Sequence, residues 1–233
     1  MHFTFISTKR LQASLLGIAS LFFSAAHAKA ALITDPAGDF LPSYTGPHNG
    51  DLDVLSAQVL FNGSTFTFTS TVNGAIGTTP NATYIWGIDR GMGTASFPAI
   101  APGVTFDSVF SINPSGQSSV TDLIDKMSTP ITNISVNGST VTGTVDLSAL
   151  PSEGLAPSNY LVNLWPKAGT SSDMNLISDF APNNSDVPVT STVTSATPEP
   201  AGLTLAGGIL LVGLALIRRR RNASAELPGR RLS

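Results

Sequence analysis

Four carboxylates crowd the start of the acidic middle of the chain: Asp35 and Asp39 within Asp-Pro-Ala-Gly-Asp, then Asp51 and Asp53 on either side of Leu52. Carboxylate oxygens are hard ligands, and a loop that offers several of them suits Ca2+. The spacing is not that of an EF-hand. No third acidic position follows Asp53, and Asn62 stands where the bidentate glutamate would be. Aspartate also closes turns through side-chain hydrogen bonds, so ordinary loop chemistry is the competing reading of the same residues. Asp35, Asp39, Asp51 and Asp53 are therefore the candidate metal ligands, and no cofactor other than Ca2+ is expected.

Two aromatic residues, Tyr84 and Trp86, are the candidate ligand-binding pair, with Tyr44, Tyr160 and Trp165 as further flat surfaces on which a sugar could stack. Trp86 and Trp165 fall within predicted strands, where packing into a core is the commoner fate. No catalytic residue is expected. There is no cysteine and no Gly-x-Ser-x-Gly elbow, and His48 is the one histidine outside the N-terminal 30 residues. A pair of aspartates for polysaccharide hydrolysis stays open, because spacing in sequence does not report spacing in space.

The elements that would position these residues are strands. From Val54 to Val72 the apolar residues alternate, with Leu55, Ala57, Val59 and Phe61 on one face, Asn62-Gly63 as the turn, and Phe66, Phe68 and Val72 returning. Ile134 and Val136, Asn137-Gly138, then Val141, Val145 and Leu147 repeat the pattern, and Asn-Gly favours the positive φ angles of a tight hairpin. Further strands are predicted at 84–89, 104–112 and 160–165, with one short helix at 120–127 capped by Ser119 or Thr121. Short strands punctuated by glycine and proline predict an all-β fold, an antiparallel β-sandwich or jelly roll, over residues 31–182. A Ser/Thr/Pro-rich linker is expected over 183–196.

Both ends of the chain carry a membrane signature. Lys9 and Arg10 precede an apolar run from Leu11 to Phe23, and Ala26-His27-Ala28 or Ala28-Lys29-Ala30 offers small residues for cleavage. That is the pattern of a secretory signal peptide over residues 1–30, a substrate for the general secretion machinery and signal peptidase. Near the other end, Ala201 to Ile217 contains no charge and only Thr204 as a polar residue, and Arg218, Arg219, Arg220 and Arg221 follow at once. As a helix this run rises roughly 26 Å, within the range that spans a bilayer. The arginine block keeps the tail, 222–233, on the cytoplasmic side. Between these ends, 13 acidic residues face three basic ones, Arg90, Lys126 and Lys167, so residues 31–196 are strongly negative and disfavour a nucleic-acid partner.

Pro198-Glu199-Pro200, the short Gly/Ala/Leu-rich span and the arginine cluster, in that order, resemble the PEP-CTERM sorting signal. The resemblance covers about 25 residues, 197–221, and the tail beyond the arginines is longer than is usual for it. It implies an exosortase as partner and a Gram-negative bacterium that makes exopolysaccharide. It also implies a route in which an inner-membrane intermediate, its C-terminus cytoplasmic, is sorted to the cell surface or extracellular matrix. Pro198, Glu199 and Pro200 would be read as substrate by that enzyme. The opening of the middle region, its first hairpin and Tyr84-Ile85-Trp86-Gly87-Ile88-Asp89 also resemble DOMON-like and family-nine carbohydrate-binding β-sandwiches. That resemblance implies binding of a sugar or, as in some members, of haem, which would need His48 with Met92, Met127 or Met174 as axial ligands. The expected function is a non-catalytic surface or exopolysaccharide-matrix protein. The alternatives are a carbohydrate-binding module, Ca2+-dependent or not, and a surface polysaccharide hydrolase.

Overall fold

A computed structural model describes residues 32–192. The expected signal peptide, the sorting motif Pro198-Glu199-Pro200, the apolar run 201–217, Arg218–Arg221 and the tail lie outside the described residues. Among the described residues no helix is long and apolar enough to cross a membrane.

In chain order the strands are β1 (Ile33–Thr34), β2 (Val54–Phe61), β3 (Thr65–Val72), β4 (Thr83–Asp89), β5 (Thr94–Ala95), β6 (Thr105–Phe106) and β7 (Ser108–Ile112). They continue as β8 (Ser118–Asp122), β9 (Ser128–Ile131), β10 (Ile134–Asn137), β11 (Thr140–Asp146), β12 (Leu161–Lys167), β13 (Val187–Pro188) and β14 (Thr190–Ser191). One six-stranded sheet runs β1–β2–β3–β11–β10 with β14 also on β2; a second runs β13–β12–β4–β7–β8–β9; β5 and β6 form a separate two-stranded sheet. Every pairing is antiparallel except β14 on β2. The all-β antiparallel architecture follows the alternation read from the sequence.

Alternation decides which residues face in. Ala57, Val59 and Phe61 of β2 and Phe66, Phe68 and Val72 of β3 are buried, as their spacing requires. At the start of β2 a register shift between Val54 and Ser56 turns Val54 inward in place of Leu55. In the turns, Gly63 and Gly138 carry the positive φ, 99° and 61°, whereas the asparagine ahead of each does not. Asn62 instead accepts the amides of Ser64 (3.0 Å) and Thr65 (2.9 Å) through its Oδ1.

Two expectations give way to tertiary contacts. The helix expected at 120–127 is strand β8 followed by a turn: Val120 packs into the core, and Asp122 Oδ1 accepts the amides of Ile124 and Asp125. The linker expected from residue 183 is part of the sandwich as far as Thr192. β13 completes one sheet and β14 the other, Val189 is buried, and Asn163 Nδ2 donates to the carbonyls of Pro182 and Ser185. Polar composition concealed two short strands that satisfy otherwise open sheet edges.

The main core lies between the sheets. Phe68 meets Trp86 and Phe110 edge to face, at 5.4 and 5.1 Å between ring centroids, and Phe66 stacks on Tyr160 at 5.5 Å. A second core covers the outer face of the β4–β12 sheet, where Phe97, Phe106, Trp165 and Phe180 pack together. β4 is therefore covered on both faces, and Gly87 makes room for the indole of Trp165. A Cβ at Gly87 would sit 2.7 Å from that ring. Gly87→Ala is expected to destabilise the fold by about 1–3 kcal/mol through overpacking, read as a lowered thermal midpoint.

The two ends of the sandwich differ. At the first, Phe61 pairs with Phe66 beside the Asn62 turn, and Leu147 N donates to Ser64 O. Arg90, wholly buried just after β4, lies at this end too. Its guanidinium reaches Asp107 (2.7 Å), Asp122 (2.9 Å) and the Pro151 carbonyl (2.9 Å). Burial pushes the Asp122 carboxyl up, but the amides of Asp125 and Ile124 and the Arg90 guanidinium together hold it below the usual carboxylate range. The second end holds the start of β2, the end of β3 and the loops that carry most of the candidate ligands.

Candidate metal centre

The chain leaves β1 at Thr34 and turns through Asp35–Asp39 across the second end. Gly38 makes the turn possible with a φ of 83°, a conformation that costs a residue with a Cβ. Asp53 then holds the turn in place: both of its carboxylate oxygens accept the Gly38 amide, at 3.0 and 2.9 Å, and Oδ2 also accepts Asn73 Nδ2 at 2.9 Å. Asp51, fully buried, accepts the Thr79 amide (2.6 Å) and hydroxyl (2.7 Å). Asp51 and Asp53 thus shape the loops with protein donors.

The four aspartates expected as one ligand set are divided. Asp35 and Asp39 stand together, and their third partner is Asp179, with one carboxylate oxygen from each residue within 4.8 Å of the others. Asp179 is almost fully buried, and its place is set from far along the chain. Its Oδ2 accepts the Val54 amide at 3.0 Å and its Oδ1 the Phe180 amide at 2.7 Å. The preceding Ser178 donates its hydroxyl to Leu52 O at 2.7 Å. Nothing in the local text around Asp179 marks it as a ligand. The one available signal is an acidic residue just before the apolar Phe180 and two after Ile177, since a carboxylate drawn into an apolar setting needs a partner.

The electrostatics of the trio are unfavourable as they stand. Asp35 Oδ2 and Asp39 Oδ1 are sealed from solvent and have no hydrogen-bond partner. Burial, then the charges of Asp179 and Asp39, push the Asp35 carboxyl up to about 8. Burial likewise pushes Asp179 to about 6, against the pull of the Val54 amide. Three carboxylates this close cannot all stay ionised without a counter-charge. Either a proton is retained among them or a cation is held. For a hard divalent cation the donors fit: Asp35 and Asp39 each keep an oxygen without a hydrogen-bond partner, each Asp179 oxygen accepts one amide and keeps a further lone pair, and water can complete a shell of about six to eight.

The aromatic expectations have a different outcome. Tyr84 and Trp86 are both fully buried in the main core, and the Tyr84 hydroxyl donates to Asp51 O at 2.8 Å. Neither ring presents a face to solvent. Tyr160 is buried with them, and Trp165 lies in the second core. His48 is exposed, edge-on to Phe40 (4.6 Å) and Tyr44 (5.4 Å). Comparison of the chain with protein-family models, with curated proteins and with solved structures finds no match.

Proposed function

We propose that the chain is an exported, non-catalytic surface or exopolysaccharide-matrix protein whose sandwich is locked by one Ca2+ at Asp35, Asp39 and Asp179. The sorting half of this proposal is supported by Pro198-Glu199-Pro200, the uncharged run 201–217 and Arg218–Arg221, which resemble an exosortase substrate. The calcium half is carried by one observation: Asp35 and Asp39 each keep a solvent-sealed oxygen without a hydrogen-bond partner, and one oxygen from each of them and from the buried Asp179 lies within 4.8 Å of the others. Outside the cytoplasm Ca2+ is available at concentrations that modest sites can use. Bound there, it would tie the segment after β1 to the segment after β12 and to the first residue of β2.

The purified chain, titrated with Ca2+ after chelation, is expected to bind one ion and to melt higher. At a hundred times Kd the gain is about 2.7 kcal/mol, or roughly 5–10 °C for a domain of this size. Absence of both binding heat and a melting shift would remove the calcium half. Deleting residues 197–233 tests the other half independently, with loss of surface delivery as the expected result. A Ca2+-dependent sugar site is the second reading. It is favoured by the half-buried Phe40 ring next to Asp39, stacked on Tyr44 at 5.8 Å, and a glycan array with and without Ca2+ separates it from a purely structural ion.

A further inference from the structure

The first end of the sandwich, around Arg90, is also where the chain leaves it. β13 runs antiparallel to β12 toward Leu161, Val189 N donates to Tyr160 O, and β14 follows β2 in parallel to Phe61. Thr192 N donates to the Phe61 carbonyl, and the described residues end there, beside the Asn62 turn. Roughly eight residues separate Thr192 from Ala201, so the start of the apolar run lies no more than roughly 30 Å away along the chain.

The same end exposes large apolar side chains. Met92 is 58% exposed, Leu123 41%, Ile124 40% and Met127 67%. They are gathered by the Arg90 network: the Met92 amide donates to Asp107 Oδ2 (3.0 Å), the Leu123 amide to Asp107 O (2.9 Å), and the Asp122 amide to Met127 O (2.8 Å). The turn that carries three of them is stiffened from within, because Asp122 spends one oxygen on the Ile124 and Asp125 amides and the other on Arg90. Apolar side chains on a fixed turn with charged neighbours are a shape that enters a lipid interface, where the apolar tips are buried and the polar flanks stay wet.

We propose that this end of the sandwich rests on the bilayer that receives the C-terminal segment, inserting Met92, Leu123, Ile124 and Met127 at the headgroup boundary. The inference depends on the membrane reading of 201–217. Given that tether, the turn faces the lipid at an effective concentration in the millimolar range, so a small apolar tip suffices where free protein would not bind. Asp125 and Asp146 are exposed at this end beside Lys126, so the surface suits neutral lipid rather than an anionic one. Asp35, Asp39 and Asp179 then point away from the membrane.

The chain contains no cysteine, so single labels are clean. Full-length protein carrying Ile124→Cys, or Thr78→Cys at the opposite end, is labelled with an environment-sensitive fluorophore and reconstituted in phosphatidylcholine vesicles with nitroxide-bearing lipid. The label at 124 is expected to shift to shorter wavelength and to be quenched roughly threefold or more beyond the label at 78. Adding Leu123→Ser and Met127→Ser should abolish that difference while the chain still floats with the vesicles. A chain that floats with both labels equally solvated overturns the lipid contact alone. A chain that fails to float overturns the tether, and the lipid contact with it.

Discussion

Replacing Arg90 with methionine is expected to cost the fold about 3–5 kcal/mol, the loss found when a buried charge pair is broken from one side. Arg90 is wholly buried, and Asp107 is 3% exposed. Asp107 Oδ2 keeps the amides of Arg90 and Met92, but Oδ1 loses the Nε donor at 2.7 Å and the carboxylate loses its counter-charge. Asp122 and the Pro151 carbonyl lose donors in the same step, which releases the β8–β9 turn and the segment after β11 together. The thermal midpoint should fall by roughly 6–20 °C. Arg90→Lys is expected to recover less than half of the loss, because one ammonium cannot fork to three acceptors that a guanidinium reaches at once.

The pH dependence of that variant has a definite sign. In the native protein Asp122 is held low, so its stabilisation is present above the unfolded carboxylate range and is lost as acid protonates it. Without Arg90 one of the groups that holds Asp122 low is gone, so the native protein's advantage over the variant is largest above the carboxylate range and shrinks as acid protonates Asp122. Urea unfolding at about pH 3 and about pH 7 should therefore show the variant's deficit widening at the higher pH. A variant within about 0.5 kcal/mol of the native protein would mean that the guanidinium is not what pins this end.

Asp35→Asn is expected to act in the opposite direction, raising the stability of the Ca2+-free protein at pH 8 while removing its response to Ca2+. The folded Asp35 carboxyl is raised from 3.8 to about 8, first by burial and then by Asp179 and Asp39. A folded-state value above the unfolded one means that the folded chain holds a proton the unfolded chain has released. Stability of the ion-free protein therefore falls as pH climbs from about 4 to about 8, and is constant beyond. The raised value of Asp179, about 6, adds to the lower part of that window. A bound Ca2+ supplies the counter-charge instead, so it should flatten the decline and bind more weakly at pH 5.5 than at pH 8, releasing protons as it binds.

An asparagine at position 35 carries no charge and can donate to a neighbouring carboxylate, so the decline across this window should shrink without any ion. Melting curves of both proteins, in chelator and in excess Ca2+, across pH 5–8 separate the outcomes. If the native Ca2+-free protein is equally stable at both ends of that range, the three carboxylates are less strained than their geometry indicates. If Asp35→Asn still gains stability with Ca2+, the ion sits elsewhere.

How much could be read before folding depends on the range of the force involved. Strand alternation is a period-two property of neighbouring residues, so β2, β3, β4, β10, β11 and β12 were legible within a residue or two. Turn chemistry is local as well, and the two Asn-Gly pairs sit at real hairpins. The exceptions are instructive. β8 looked helical because Asp122 and Asp125 suit a helix start, yet Val120 had a core to fill. β13 and β14 looked like linker because their value lies in the strands they meet, not in their own composition.

The candidate site divides along the same line. Local chemistry accounts for an acidic turn at Asp35–Asp39 that Gly38 permits and that could offer oxygens to a cation. It could not say that Asp51 and Asp53 spend theirs on Thr79, Gly38 and Asn73, nor that the third carboxylate is Asp179, bonded to a residue 125 positions earlier. It could not place Tyr84 and Trp86 inside rather than outside, because one face of a strand is distinguished from the other only by what packs against it. Sequence sets which groups are available and how each short stretch bends. Which groups meet, and which are cut off from water when they do, is decided by sheets closing over one another, because burial is a property of the whole fold and has no local period.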